Sequence, residues 1–150
     1  MEIGGVAYDK LRSYSLNSYL AWQQPEGSFN ADAYRNFVKS SDLATSNPSQ
    51  ILAFVDTSPG NLCHPAFVIY LGTSRRGNFY MLPGAGHQKS GVLSFTDGHV
   101  EGHKWESSKT VDLALSPWNA NHLGQYLFED PDGHDNPDWL WLRDHASALK

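Results

Sequence analysis

The chain holds a single cysteine, Cys63, in 150 residues. One thiol excludes an intramolecular disulfide, and no second sulfur stands near it to suggest a zinc site. A buried inert thiol is the plain reading. His64 is adjacent, but neighbouring residues on an extended segment point apart, so the two form no dyad. Charge is also scarce. Charged residues make up 18% of the chain and acids outnumber bases sixteen to eleven, for a net charge of -5. The one basic cluster, Arg75-Arg76, is too small to track a phosphate backbone, so nucleic acid is not an expected partner. No window approaches the ~18 consecutive apolar residues of a membrane span. The N-terminus "MEIGGVAYDKLRSYS" shows no basic region followed by an apolar run. Nucleophile-elbow, P-loop and dinucleotide-binding fingerprints are missing, which leaves a nucleophilic enzyme little support. There are no internal repeats.

What is present is apolar and aromatic. At 40% hydrophobic and 13% aromatic, the chain has enough to bury one core, and its length suits one domain over residues 1–150. The run "RSYSLNSYLAW" sets Tyr14, Leu16, Leu20 and Trp22 on alternate positions, which favours a half-buried strand, although Leu11, Ser15, Ser18 and Trp22 would also suit a helix. After the break "TSNPSQ", the run "QILAFVD" reads as a central strand ending in Asp56. "AFVIYL" and "GNFYML" predict a hairpin around the polar turn "GTSRRG". "ESSKTVDLALSPWNANHLGQYL" mixes signals and admits a short helical turn. At the C-terminus Asn136 can cap a helix with Pro137 in its first turn, and Trp139, Leu142, Ala146 and Leu149 form one stripe.

The stretch "HQKSGVLSFTDGHVEGHKW" carries three histidines around Asp97-Gly98. Asp-Gly between two β-prone runs predicts a hairpin with a two-residue type I′ turn. That register pairs Thr96 with His99, Phe95 with Val100, Ser94 with Glu101 and Val92 with His103. Leu93, Phe95 and Val100 would then face the core, leaving His99, Glu101 and His103 on the polar face. His99 and His103 would lie roughly 13 Å apart along a strand, too far to share one ion. A catalytic or zinc-type grouping of Asp56, His87, Asp97 and His99 is the sharper alternative. The plainer reading has His87 pin its glycine-rich loop by a hydrogen bond to Asp97 or Asp56.

Two other groups bear on function. "EDPDGHDNPD" brings Asp130, Asp132, Asp135 and Asp138 close in sequence around Gly133, and hard oxygen ligands of this kind suit calcium. The spacing departs from an EF-hand, Asp138 is also placed to meet a helix dipole, and a solvated acidic turn is the preferred reading. Among the tryptophans, Trp118 and Trp141 are the candidates for an exposed platform that stacks a sugar or other ligand.

His87, nine residues and then Asp97-Gly98 resemble the H-x9-DG signature of bacterial pseudopilin-like proteins with prepilin-type processing, of the type II secretion and type IV pilin-like systems. "LSFTDGHVEGHKW" is similar to their consensus along its length. "RSYSLNSY", "PSQILAFVD" and "NPDWLWLRDHAS" match in the same order, so the likeness covers most of residues 12 to 147. It implies an α+β head of mainly antiparallel sheet with hairpins and a short C-terminal helix. His87, Asp97 and Gly98 are carried over as a sequence landmark. The implied role is non-enzymatic assembly with pilin-like subunits or copies of itself, outside the inner membrane. Calcium sites in C-terminal loops occur in related type II secretion pseudopilins, which gives the acidic run its second reading. Members begin with a basic leader and a long apolar helix that anchors them and packs in a filament core. Neither is found in these residues, so the chain is expected to be the head of a longer precursor or a naturally shortened form. An apolar sheet face that such a helix would cover is then expected to be partly open. Thr57 stands where relatives often carry an acid, so any site that needs that carboxylate is not carried over. A binding module for glycans or other ligands and a metal-dependent hydrolase are the alternatives to be separated from assembly.

Overall fold

The computed structural model describes residues 2–3, 6–7, 13–21, 33–62, 66–71, 79–116 and 136–150. Its centre is a five-stranded sheet in the order β5-β3-β4-β6-β7. The strands are β3 (Tyr14–Asn17), β4 (Leu52–Asp56), β5 (Ala66–Phe67), β6 (Ser90–Phe95) and β7 (Val100–Lys104). A separate two-stranded pair joins β1 (Glu2–Ile3) to β2 (Val6–Ala7). Three α-helices are described, α1 (Ser40–Leu43), α2 (Ser108–Ala114) and α3 (Pro137–Ala146). The fold is α+β. Its sheet is mostly antiparallel, with one parallel pair between β3 and β5.

The run "LAFVD" forms the central strand β4, flanked by β3 and β6. Leucine, phenylalanine and valine suit a strand; Leu52 and Val55 are buried, while Phe54 is exposed. Helix α3 begins as its sequence predicts. The Asn136 side chain accepts hydrogen bonds from the N–H groups of Asp138 and Trp139 at 2.9 and 3.1 Å, and Pro137 occupies the first turn, where its missing N–H costs nothing. Trp139, Leu142 and Ala146 are buried, but Leu149 is 66% exposed. The helix ends at Ala146, so the helical stripe stops before reaching it.

The predicted hairpin over "AFVIYL" and "GNFYML" is only partly within the described residues, because 72–78 lie outside them. Within them, β5 is two residues long and pairs parallel with β3. Val68, Ile69, Leu71, Phe79, Met81 and Leu82 are buried without forming strands. Their apolarity serves the core.

Strand β3 is the sharpest departure. The predicted alternation holds, with its faces inverted. Tyr14 and Leu16 are 47% and 37% exposed, while Ser15 and Asn17 are buried. Asn17 sits inside because its amide is fully used. Its Nδ2 donates to the carbonyls of Leu52 and Ala146 at 2.9 and 2.8 Å, and its Oδ1 accepts from Tyr19 N–H at 3.1 Å. One buried side chain thus ties the sheet to the end of α3, satisfying groups that would be costly to leave unpaired.

The rows of the sheet show the consequence. Leu16 pairs with Phe54, Phe54 with Ser94 and Ser94 with Val100, so these side chains share one face. Phe54 is 48% and Val100 63% exposed. On the opposite face Val55 and Leu93 are buried, and α3 packs there through Asn17, Phe95 and Trp141.

Candidate functional site

The β6–β7 hairpin forms where Asp-Gly predicts it, with a different turn. Ser94 pairs with Val100, Leu93 with Glu101, Val92 with Gly102 and Gly91 with His103. Gly98 N–H donates to Phe95 O, and Phe95 N–H donates to His99 O, both at 3.0 Å. The loop is therefore the three residues Thr96, Asp97 and Gly98, and of these Gly98 alone has a positive φ, at 96°. A type I′ turn needs two such residues, whereas a three-residue loop ending in a left-handed glycine needs one. Asp97 avoids the left-handed region and caps the turn, its Oδ1 accepting from His99 N–H at 3.1 Å and meeting His99 Nδ1 at 2.7 Å. The bond from the His99 backbone, helped by its ring, holds the Asp97 carboxyl below its usual value.

That one-residue change of register reverses the faces of β7. Val100, expected in the core, is exposed. His99, Glu101 and His103, expected on the polar outer face, lie on the α3 side. The rings there stack. His99 lies on Phe95 at 4.2 Å between centroids. The Trp141 indole is sandwiched between His103 at 3.8 Å and His145 at 4.1 Å, and His103 also meets Trp105 at 4.8 Å. Burial pushes the His103 imidazole below its usual value, and the charge of His145 adds to this, against Asp138, Glu101 and Glu106. His145 Nδ1 lies 2.7 Å from the Trp141 carbonyl oxygen, so that nitrogen carries the proton and the ring is held in place. Trp141 consequently has both faces covered and offers no platform for a sugar. The signal was present as Trp141 and His145 at helical i,i+4 spacing, but the wrong register kept His103 away from them.

At the opposite end of β6 lies a cavity of about 520 Å³. Tyr14 and Asp56 reach it from adjacent strands, Gly84 and His87 from the loop before β6, and Leu115 and Ser116 from the end of α2. Asp56 is 8% exposed. Its backbone carbonyl accepts from Gly84 N–H at 2.7 Å, and its carboxylate packs so closely against the Gly84 Cα that a Cβ at position 84 would overlap it. The hydroxyls beside it are spent on the scaffold. Thr57 Oγ1 donates to Val55 O at 3.1 Å and Ser58 Oγ to Ala114 O at 2.6 Å. His87 is exposed at the rim, in a turn where Gln88 and Lys89 both adopt positive φ, at 54° and 67°. Two consecutive non-glycine residues in that region are uncommon, and such turns recur at functional sites.

The grouping of Asp56, His87, Asp97 and His99 is not assembled. Asp56 and His87 line one cavity, whereas Asp97 and His99 sit in the turn beyond the far end of β6. The six residues of that strand separate the pairs by roughly 20 Å, and zinc bonds are only about 2 Å long. Among the described residues, no three histidine, cysteine or acidic side chains are placed to hold a metal ion. His87 and Asp97 of the H-x9-DG signature are likewise far apart, so His87 does not pin its loop to Asp97. Asp138 is buried, and its two carboxylate oxygens accept the N–H groups of Glu106 and Ser107 at 2.8 and 3.1 Å. It fastens α3 to the chain leaving β7, which removes it from any calcium set. Asp130, Asp132 and Asp135, with Trp118 and Cys63, lie outside the described residues. No helix among the described residues is long and apolar enough to cross a membrane. No family, no curated protein and no solved structure matches the chain.

Proposed function

We propose that the chain is a non-enzymatic assembly head of the pseudopilin-like class, acting outside the inner membrane, whose outer sheet face receives an apolar helix from a pilin-like subunit. The observation that carries this reading is the row Leu16, Phe54 and Val100, with Tyr14 beside it, which crosses the sheet and stays open to solvent. Each apolar Å² withdrawn from water there contributes about 25 cal/mol, and an exposed row of this kind marks an interaction surface. The ordered likeness from "RSYSLNSY" to "NPDWLWLRDHAS" supports the same class. The histidines of the signature hairpin serve architecture, packing on aromatic rings. The test is site-specific photo-crosslinking from position 54 in cells that express the gene, with cross-linked peptides identified by mass spectrometry. Cross-links to the apolar helix of a membrane-anchored pilin-like subunit support the reading. Cross-links confined to soluble proteins of other kinds, or none, contradict it.

The cavity at Asp56 and His87 favours a second reading, a small-ligand module. Its volume of about 520 Å³ falls in the ordinary range of ligand pockets, ~300–1,000 Å³. A thermal-shift screen of sugars and small metabolites separates the two, since the assembly reading expects no stabilising ligand there.

A further inference from the structure

Among the described residues strand β7 ends the sheet order, and Val100, Glu101, Gly102 and Lys104 are all exposed. Its hydrogen-bond alternation fixes which backbone groups face outward. Phe95 N–H donates to His99 O, and Trp105 N–H donates to Lys89 O, both at 3.0 Å. Between these two anchors, Leu93/Glu101 and Gly91/His103 are therefore the hydrogen-bonded pairs of the β6–β7 ladder. The N–H and C=O groups of Val100, Gly102 and Lys104 consequently point away from β6. Among the described residues no strand pairs with this edge, and a Cβ placed on Gly102 would meet no atom within 4 Å on the sheet face.

We propose that β7 pairs antiparallel with β7 of a second copy about a two-fold axis at Gly102, joining two five-stranded sheets into one. In this register Gly102 faces Gly102, Val100 faces Lys104 and Glu101 faces His103. The outward groups of residues 100, 102 and 104 all find partners. Glu101 and His103 fall at non-hydrogen-bonded positions, where side chains approach most closely, and a carboxylate opposite an imidazole is favourable there. The Lys104 stem covers Val100. Sliding one step either way, the least that keeps outward N–H groups facing carbonyls, sets Glu101 against Glu101 or His103 against His103. Repulsion between two Glu101 carboxylates disfavours the first slide, and the second gives up both Glu101–His103 contacts, so the symmetric register is favoured. The contact uses the edge of the sheet and leaves the outer face free, so it holds or fails independently of the assembly reading.

Five residues a side fall short of a standard interface of ~1,200 Å² or more, so the dimer is expected to be weak, with a dissociation constant on the order of 100 µM. Analytical ultracentrifugation from about 10 µM to about 1 mM should show a reversible monomer–dimer equilibrium. Gly102→Pro removes an outward N–H without touching the bonds to β6 and should leave the protein monomeric with an unchanged circular dichroism spectrum. Amide exchange of the unaltered protein gives a second readout that does not depend on how the variant folds. The amides of Val100, Gly102 and Lys104 should slow as concentration rises, while those of Glu101 and His103 should not. A protein that stays monomeric throughout, or a dimer whose added protection falls elsewhere, overturns the proposal.

Discussion

The two faces of the sheet are built from the same strands and do opposite things. On the inner face of β3, Ser15 and Asn17 are buried; on the outer face, Tyr14 and Leu16 are exposed. Hydrophobicity alone would have reversed them. The inner face is closed by α3, and Asn17 secures that closure with three hydrogen bonds to three other residues. The outer face has apolar side chains and no described element over them. A buried amide whose two N–H groups and carbonyl are all bonded can therefore decide a strand's orientation, leaving its apolar residues on the exposed face.

Substitutions at adjacent positions break the comparison most directly. Asn17→Ala strands the carbonyls of Leu52 and Ala146 and should cost about 3 kcal/mol, read from the denaturation midpoint. Leu16→Ala next to it should change stability by no more than about 0.5 kcal/mol. Gly84→Ala drives a methyl into the Asp56 carboxylate and should cost about 2 kcal/mol, with loss of the cavity's shape. Gly98→Ala, at a φ of 96°, should cost about 1 kcal/mol. Val100→Thr sharpens the register. It should be neutral within about 0.5 kcal/mol, whereas a core Val100 would make the hydroxyl plainly destabilising.

The pH dependence distinguishes the inner face in another way. His103 has its folded value lowered from the usual 6.5 by burial. The unfolded chain therefore takes up this proton first, and the stability that His103 contributes is fully present above 6.5 and falls as pH drops through it, levelling below the folded value. His103→Phe should lose this component, so the difference in unfolding midpoint between variant and parent should grow between pH 7 and pH 5. Outer-face variants such as Leu16→Ala should show the parent's profile.

Much of the fold was legible because local chemistry announced it. Asn136 and Pro137 placed the start of α3, and "LAFVD" placed the central strand. The hairpin was legible as a hairpin but not as a register. Asp-Gly fits both a two-residue turn and a three-residue loop with glycine in the left-handed position, and the choice reverses every side chain of β7. From that one residue followed the misplacement of Val100 and the missed His103–Trp141–His145 stack, which covers the indole expected to be free to stack a ligand. The cavity was only half visible. Asp56 and His87 were singled out, but the requirement for glycine at 84 depends on a tertiary approach that no local pattern carries. The inversion of β3 was hidden for the same reason, since the partners of Asn17 lie 35 and 129 residues away.

The claim that the outer face is the receptive one is tested most directly by methyl NMR during titration with an apolar helical peptide of about 20 residues in mild detergent. The account predicts shifts at the methyls of Leu16 and Val100, with Val55, Leu93 and Leu142 on the inner side unmoved. Shifts confined to the inner methyls, or none beyond those caused by detergent alone, would contradict it.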